Sequence, residues 1–233
     1  MDNIKGTALI TGAGRGIGLE LCKWFGEQGI QTIGVSRNVL ALKNLINVEA
    51  IEADLTDIEN VFEKLKPYLD EENPDRFYVV HNAAMLVNAS FDSISEVQIR
   101  QMTEINYITP LRLTQYLIPW LMKIKESHII YVSSMGGFQG SLRFPGLSVY
   151  SSNKSAISSL SESLAEEYKD TSMRFNTLAL GAVDTEMLKE SLPGYTAKVS
   201  AKQIAAFIGH FAIHGYSLVN GKVIPLAGIN PTF

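Results

Sequence analysis

Residues 150–154 read YSSNK. On a helix, positions four apart share a face, so Tyr150 and Lys154 would be neighbours there. Such a pair has two uses. One is packing, with the phenol resting against a lysine stem on an amphipathic surface helix. The other is proton transfer, for which a reference pKa of ~10 is an obstacle, because it leaves the tyrosine anion scarce at neutral pH. A lysine ammonium ~4 Å away at an effective dielectric of ~20 supplies roughly 4 kcal/mol, enough to bring a phenol from ~10 to ~7. Lys154, one helical turn from Tyr150, is sufficient in magnitude.

A second stretch, TGAGRGIG at 11–18, follows a hydrophobic run and opens an amphipathic segment. Glycines in that context allow a tight turn and close backbone approach, while a helix N-terminus offers N–H groups and a partial positive charge to a pyrophosphate. Thr11, Gly12, Gly14, Arg15, Gly16, Ile17 and Gly18 are the candidate contacts. A turn that merely lets helix and strand pack is the alternative. The next hydrophobic run ends in VSRN, so Ser36 and Arg37 stand where an acid would bind a ribose 2′-hydroxyl. An arginine there suits a 2′-phosphate, and Arg15 adds a second cation. The cofactor expected is NADP(H).

These groups need a scaffold. Seven short runs rich in β-branched and apolar residues read as strands, at 7–11, 31–36, 48–53, 76–81, 128–133, 174–180 and 222–226. Amphipathic segments such as GIGLELCKWFGEQ, IENVFEKLKPYL and PLRLTQYLIPWLMKI separate them and are long enough for the crossovers that parallel strands require. The fold class predicted is α/β, a doubly wound (Rossmann) parallel seven-stranded sheet with helices on both faces. In such a sheet ligands bind beyond the carboxyl ends of the strands. The stretches TGAGRGIG, SRN, NAAM and SSMGG all leave those ends and converge on one edge.

Composition narrows the function. Hydrophobic residues make up 46% and charged residues 19% of the 233, as in a compact globular protein. With 20 basic and 24 acidic residues the formal charge is −4, which lacks the basic surplus that nucleic-acid binding needs. No apolar stretch approaches the ~20 residues of a membrane-spanning helix, and the N-terminal stretch is unlike a secretory signal. Cys22 is the single cysteine, which excludes an internal disulfide and fits a reducing cytoplasm. It reads as a small core residue. His210 and His214 have a metal-compatible spacing without a glutamate between them or a third ligand nearby, so no metal is expected. The acidic stretch 70–73 reads as a solvated turn.

Together these residues resemble the short-chain dehydrogenase/reductase family over essentially the whole chain. Thr11, Gly12, Gly16 and Gly18 match its TGxxxGxG and Tyr150 and Lys154 its YxxxK. ADL at 53–55 resembles the family's adenine-contacting turn, with Asp54 and Leu55. NAA, residues Asn82, Ala83 and Ala84, resembles its NAG. The resemblance implies one domain over 1–233, with 1–130 mainly holding cofactor and 131–233 mainly catalytic and substrate-binding. It implies a catalytic set of Asn106, Ser134, Tyr150 and Lys154. Tyr150 would donate a proton to a carbonyl oxygen and Lys154 would tune it and hold the nicotinamide ribose. Ser134 would bond the substrate oxygen, and Asn106 would fix a water linking Lys154 to solvent. Further cofactor contacts are implied at Gly181, Val183 and Thr185, although Leu180 replaces the family's proline. The interval from Ser134 to Tyr150 is about three residues longer than the common form, and the segment between Thr185 and a helix starting near Ala201 is brief. The last strand and tail resemble the family's but lack its VDGG ending.

The activity implied is an NADPH-dependent carbonyl reductase or alcohol dehydrogenase on a small-molecule substrate, a 3-oxoacyl-carrier-protein reductase being one specific form. The alternatives are a regulatory protein that binds NADP without turnover and a sugar-nucleotide epimerase or dehydratase. Pairing through helices near 104–124 and 149–169 would give a homodimer or homotetramer.

Overall fold

A computed structural model describes residues 6–70 and 74–227. The rest of the acidic stretch at 71–73 and the tail at 228–233 lie outside the described residues. All seven expected strands are present, as β1 (Gly6–Thr11), β2 (Gln31–Ser36), β3 (Val48–Glu52), β4 (Arg76–His81), β5 (Glu126–Ser134), β6 (Met173–Leu180) and β9 (Lys222–Leu226). They form one sheet in the order β3-β2-β1-β4-β5-β6-β9, and every pairing is parallel. Two two-residue strands escaped the sequence reading. β7 (Val183–Asp184) and β8 (Val199–Ser200) pair beyond the end of β6 and are too short to carry a pattern.

Helices cover both faces of the sheet. On one, α2 (Ile58–Asp70), α4 (Thr109–Leu121) and α5 (Ser148–Glu167) send Leu65, Leu113, Leu117 and Ile157 onto Leu9, Val79 and Phe175. On the other, α1 (Gly16–Glu27) and α7 (Ala201–His214) pack Phe25 and Ile208 against Ile10, Tyr78 and Val80. Because successive residues of a strand point to opposite faces and both faces are buried, the strands read as nearly continuous apolar runs. Pro225, which cannot donate to a ladder, is accommodated because β9 is an edge strand. Where α1 and α7 cross, Gly209 leaves room for Trp24, whose ring occupies the place of the missing side chain. Cys22 is fully buried in this layer, and burial pushes its thiol up to about 12, which makes it inert.

The order reverses between β1 and β4, since the chain moves outward to β2 and β3 from one and to β5 and β6 from the other. This is the switch point at which a crevice opens between the two outgoing loops. The helix expected near 104 begins earlier and is interrupted. α3 (Glu96–Thr103), capped by Ser95 and Gln98, runs through a π-helical turn at Glu104–Ile108 into α4. π-helical turns concentrate at functional positions, and this one carries Asn106.

Candidate active site

A cleft of about 1130 Å³ runs along the carboxyl ends of the strands. Its first border is the turn from β1 to α1. Gly12 has φ +69°, and a Cβ there would lie 2.8 Å from the Ala83 Cα, so only glycine lets the β1 and β4 loops meet. A Cβ on Gly18 would run into the Gly12 carbonyl oxygen and the Asn82 side chain. Thr11 and Asn82 fasten the two loops. The Thr11 Oγ1 accepts from the backbone N–H groups of Asn82 and Ala83 at 3.1 and 3.2 Å, and the Asn82 amide donates to the Thr11 carbonyl at 3.1 Å. The N-cap of α1 is Arg15, which makes no side-chain capping bond. A glycine cradle at an uncapped helix N-terminus suits a pyrophosphate.

Farther along, Ser36 and Arg37 follow β2 and Asp54 and Leu55 follow β3, all on the cleft wall. Asp54 accepts from the Thr56 N–H at 2.9 Å, and that bond is the main reason its carboxyl lies below the usual range, with Arg37 contributing. Arg15 turns the other way. Its guanidinium forms a two-pronged pair with Glu190 of α6 (Glu186–Ser191), at 2.5 and 3.1 Å. The glycine loop and the segment after β7 are thereby bridged across the cleft.

Tyr150 and Lys154 occupy one face of α5, as their spacing predicts, and both are buried. The Lys154 Nζ donates to the Val132 carbonyl at 2.8 Å and lies 5.8 Å from the centre of the Tyr150 ring. Ser133 and Ser158 both donate to the Lys154 carbonyl, at 2.7 and 2.9 Å, tying α5 to the end of β5. Ser134, the last residue of β5, is hydrogen-bonded to the Tyr150 hydroxyl and accepts from the Gly136 N–H at 3.1 Å.

The expectation that Lys154 pulls the phenol toward neutrality is not met in this arrangement. Burial drives Tyr150 up to about 12, with Ser134 opposing, and burial drives Lys154 down to about 8. Desolvation dominates because the ammonium is directed to a backbone carbonyl and not to the phenol oxygen.

Asn106 is buried behind this layer. Its amide donates to the Met85 carbonyl at 2.7 Å and accepts from the Met85 N–H at 2.9 Å, so its side chain holds the loop after β4. Of the residues singled out from the sequence, Gly12, Gly14, Arg15, Gly16, Ile17, Ser36 and Arg37 line the cleft from the β1–β2 side. Asp54, Leu55, Asn82, Ala83 and Ala84 continue that wall, and Ser134, Tyr150, Lys154, Gly181, Val183 and Thr185 complete it. Thr11, Gly18 and Asn106 stand behind it as supports. Sequence reading missed Glu190, 175 positions from Arg15, because an ion pair at such a distance leaves no local pattern. It also missed Met85, although that residue directly follows NAA.

A parallel sheet with a glycine cradle at its switch point, and a tyrosine backed by a lysine on the facing helix, defines a dinucleotide-binding protein of the dehydrogenase type. The chain matches the family model for short chain dehydrogenases over residues 6–196 and belongs to that family. An uncharacterized oxidoreductase of Staphylococcus epidermidis is 29% identical over 203 residues, which cover 85% of this chain and 86% of that one. Among solved structures, ElxO with NADP bound is similar with a TM-score of 0.83 at 22% identity, covering 96% and 98% of the two chains. The 3-ketoacyl-(acyl-carrier-protein) reductase of Brucella melitensis, complexed with NADH, is similar with a TM-score of 0.84 at 21% identity, covering 97% and 98%.

Proposed function

We propose that the protein is an NADPH-dependent carbonyl reductase, able to run in reverse as an alcohol dehydrogenase. The observation that carries this reading is the cluster of Tyr150, Ser134 and Lys154 at the wall of a cleft whose other end is built from the glycine loop and Arg37. When bound, the dihydronicotinamide supplies a hydride to the carbonyl carbon, which gains two electrons while the cofactor becomes oxidised. The protein's own part is the proton. A buried phenol whose pKa is raised keeps its proton at neutral pH and is therefore in the acid form that carbonyl reduction uses. Ser134 shares the Tyr150 oxygen and would hold the substrate oxygen beside it. Lys154 keeps the base of the site positive and would bind ribose hydroxyls. Asn106, through Met85, would fix the loop on which the substrate rests.

The cofactor reading rests on Arg37, on the cleft wall after β2, and on the lack of an acid in that turn. Residues 1–130 would mainly hold the cofactor and 131–233 would mainly supply the catalytic and substrate groups of a single domain. A 3-oxoacyl thioester is one substrate that suits the reaction. A cytoplasmic location is in keeping with a single cysteine, buried and unpaired. No helix among the described residues is long and apolar enough to cross a membrane. We further propose assembly as a homodimer or homotetramer through α4 and α5.

The test separates chemistry from packing. In Tyr150→Phe the fold and NADPH affinity should survive while carbonyl reduction falls by ~10²-fold or more, as for loss of a positioned proton donor. Lys154→Ala should lower both turnover and NADPH affinity. Near-native turnover in Tyr150→Phe would overturn the assignment of Tyr150 as the proton donor and leave the tyrosine–lysine pair as packing.

A further inference from the structure

Beyond Tyr150 the cleft changes character. Its walls there come mainly from Met85 and Val87 after β4, Phe144 and Leu147 in the loop before α5, and Met187 and Leu192 in and after α6, while the polar Asn88 that follows Val87 donates to the Ser191 carbonyl at 3.2 Å. The longer interval between Ser134 and Tyr150 thus contributes apolar surface. Among the described residues the cations that line the cleft are Arg15, Arg37 and Lys154, and none comes from the segments that supply these walls. Arg37 stands near Asp54 after β3, Arg15 is paired with Glu190, and Lys154 donates to the Val132 carbonyl. Two neighbouring cations are also engaged. Arg143, in the loop that supplies Phe144, donates to the Gly136 carbonyl, and Lys189 of α6 pairs with Asp184 at 2.8 Å. The charged residues that α6 does present to the cleft, Glu186 and Glu190, are acids.

We propose that this part of the cleft selects a neutral, apolar carbonyl compound, an alkyl or aryl ketone or aldehyde with no carboxylate or phosphate next to the reacting carbon. The proposal rests on the reductase reading and specifies its substrate. An anion entering between these walls would lose hydration and gain no cation from the segments that form them. A neutral chain or ring loses little hydration and gains contact with the walls. Met85, Met135 and Met187 all line the cleft, and thioether side chains are flexible and polarizable, so these walls adapt to rings and chains of differing shape.

The experiment uses two ketones of nearly equal size, propiophenone and benzoylformate, of which the second carries a carboxylate beside the carbonyl. Each is titrated calorimetrically into protein saturated with NADP⁺, and each is then supplied with NADPH. Propiophenone should bind at least about tenfold tighter. In Val87→Lys, which places a cation in the wall, benzoylformate should gain about fivefold or more in affinity. Equal or tighter binding of benzoylformate to the unaltered protein, binding of neither, or no gain in Val87→Lys would overturn the proposal. Discrimination in binding without NADPH oxidation would leave the proposal standing and remove the reductase reading instead.

Discussion

At the level of single residues, one side chain beside Arg15 and Arg37 alters what the sequence suggests. Both arginines were expected near a 2′-phosphate, yet Arg15 is held by Glu190 and Arg37 stands alone as the cation after β2 on the cleft wall. The exposed pair with Glu190 contributes little stability, but it turns the Arg15 guanidinium toward α6. On the NADPH reading proposed above, Arg37 would therefore carry most of the discrimination. NADPH should bind at least about tenfold tighter than NADH, a difference of ~1.4 kcal/mol, and Arg37→Asp should reverse much of it. A fluorescence titration of both cofactors into both proteins measures this, and equal affinities in the unaltered protein would refute it. That Tyr150 and Lys154 are neighbours was legible from spacing, because a helix puts positions four apart side by side, whereas their chemical role was implied only by the family resemblance. The state of the phenol was not legible, since it depends on burial and on where the ammonium points.

At the level of elements, α5 carries Tyr150 and Lys154 on its buried face and, with α4, leaves surface to spare. The exposed residues of α5 include Ser152, Ser159 and Ser163, whose small side chains permit close helix approach across a two-fold axis. Met122, at the end of α4, is 53% exposed. We expect light scattering at micromolar concentration to give at least twice the mass of one chain, and Ser159→Arg to shift it toward one. A monomer in the unaltered protein would refute assembly through these helices. Periodicity located the helices, but it did not reveal the π-helical turn at Glu104–Ile108. Nothing in EINYI distinguishes that turn from continuous α-helix, yet it carries the Asn106 side chain that bonds Met85.

For the whole molecule, two fully buried histidines set the acid limit. His81 is stacked on Tyr131, and its Nε2 is 2.9 Å from the Thr114 hydroxyl, which in turn is 2.8 Å from the Tyr131 hydroxyl. His128 donates from Nδ1 to the Ala212 carbonyl at 3.0 Å and accepts at Nε2 from the Asn176 amide, also at 3.0 Å, an arrangement made for the neutral ring. Burial holds His81 down to about 3 and His128 down to about 4, with Arg174 adding to the effect at His128. Below an unfolded pKa of ~6.5 the unfolded chain takes up protons that the folded chain refuses, so stability falls as pH drops and is unaffected by these rings above that value. At ~1.4 kcal/mol per pH unit for each ring, the two together remove on the order of 4 kcal/mol between pH ~6.5 and ~5. Thermal melts should show Tm falling over that window, with a shallower slope in His128→Gln. A flat Tm would contradict the assignment.

The amino-acid sequence by itself determined the seven sheet strands, their parallel arrangement, the glycine loop and the tyrosine–lysine pair. Each is written in a local pattern: apolar runs of strand length, glycines where a strand turns into a helix, and a spacing of four. Only the tertiary structure decided that Arg15 meets Glu190, that Asn106 supports Met85, and that Met85, Val87, Phe144, Leu147, Met187 and Leu192 line one cleft. Those features join the loops after β1, β4 and β5 with α6 and the π-helical turn before α4. Partners far apart in the chain are selected by packing and by the satisfaction of charge and hydrogen bonds, and such selection leaves no periodic trace in the sequence.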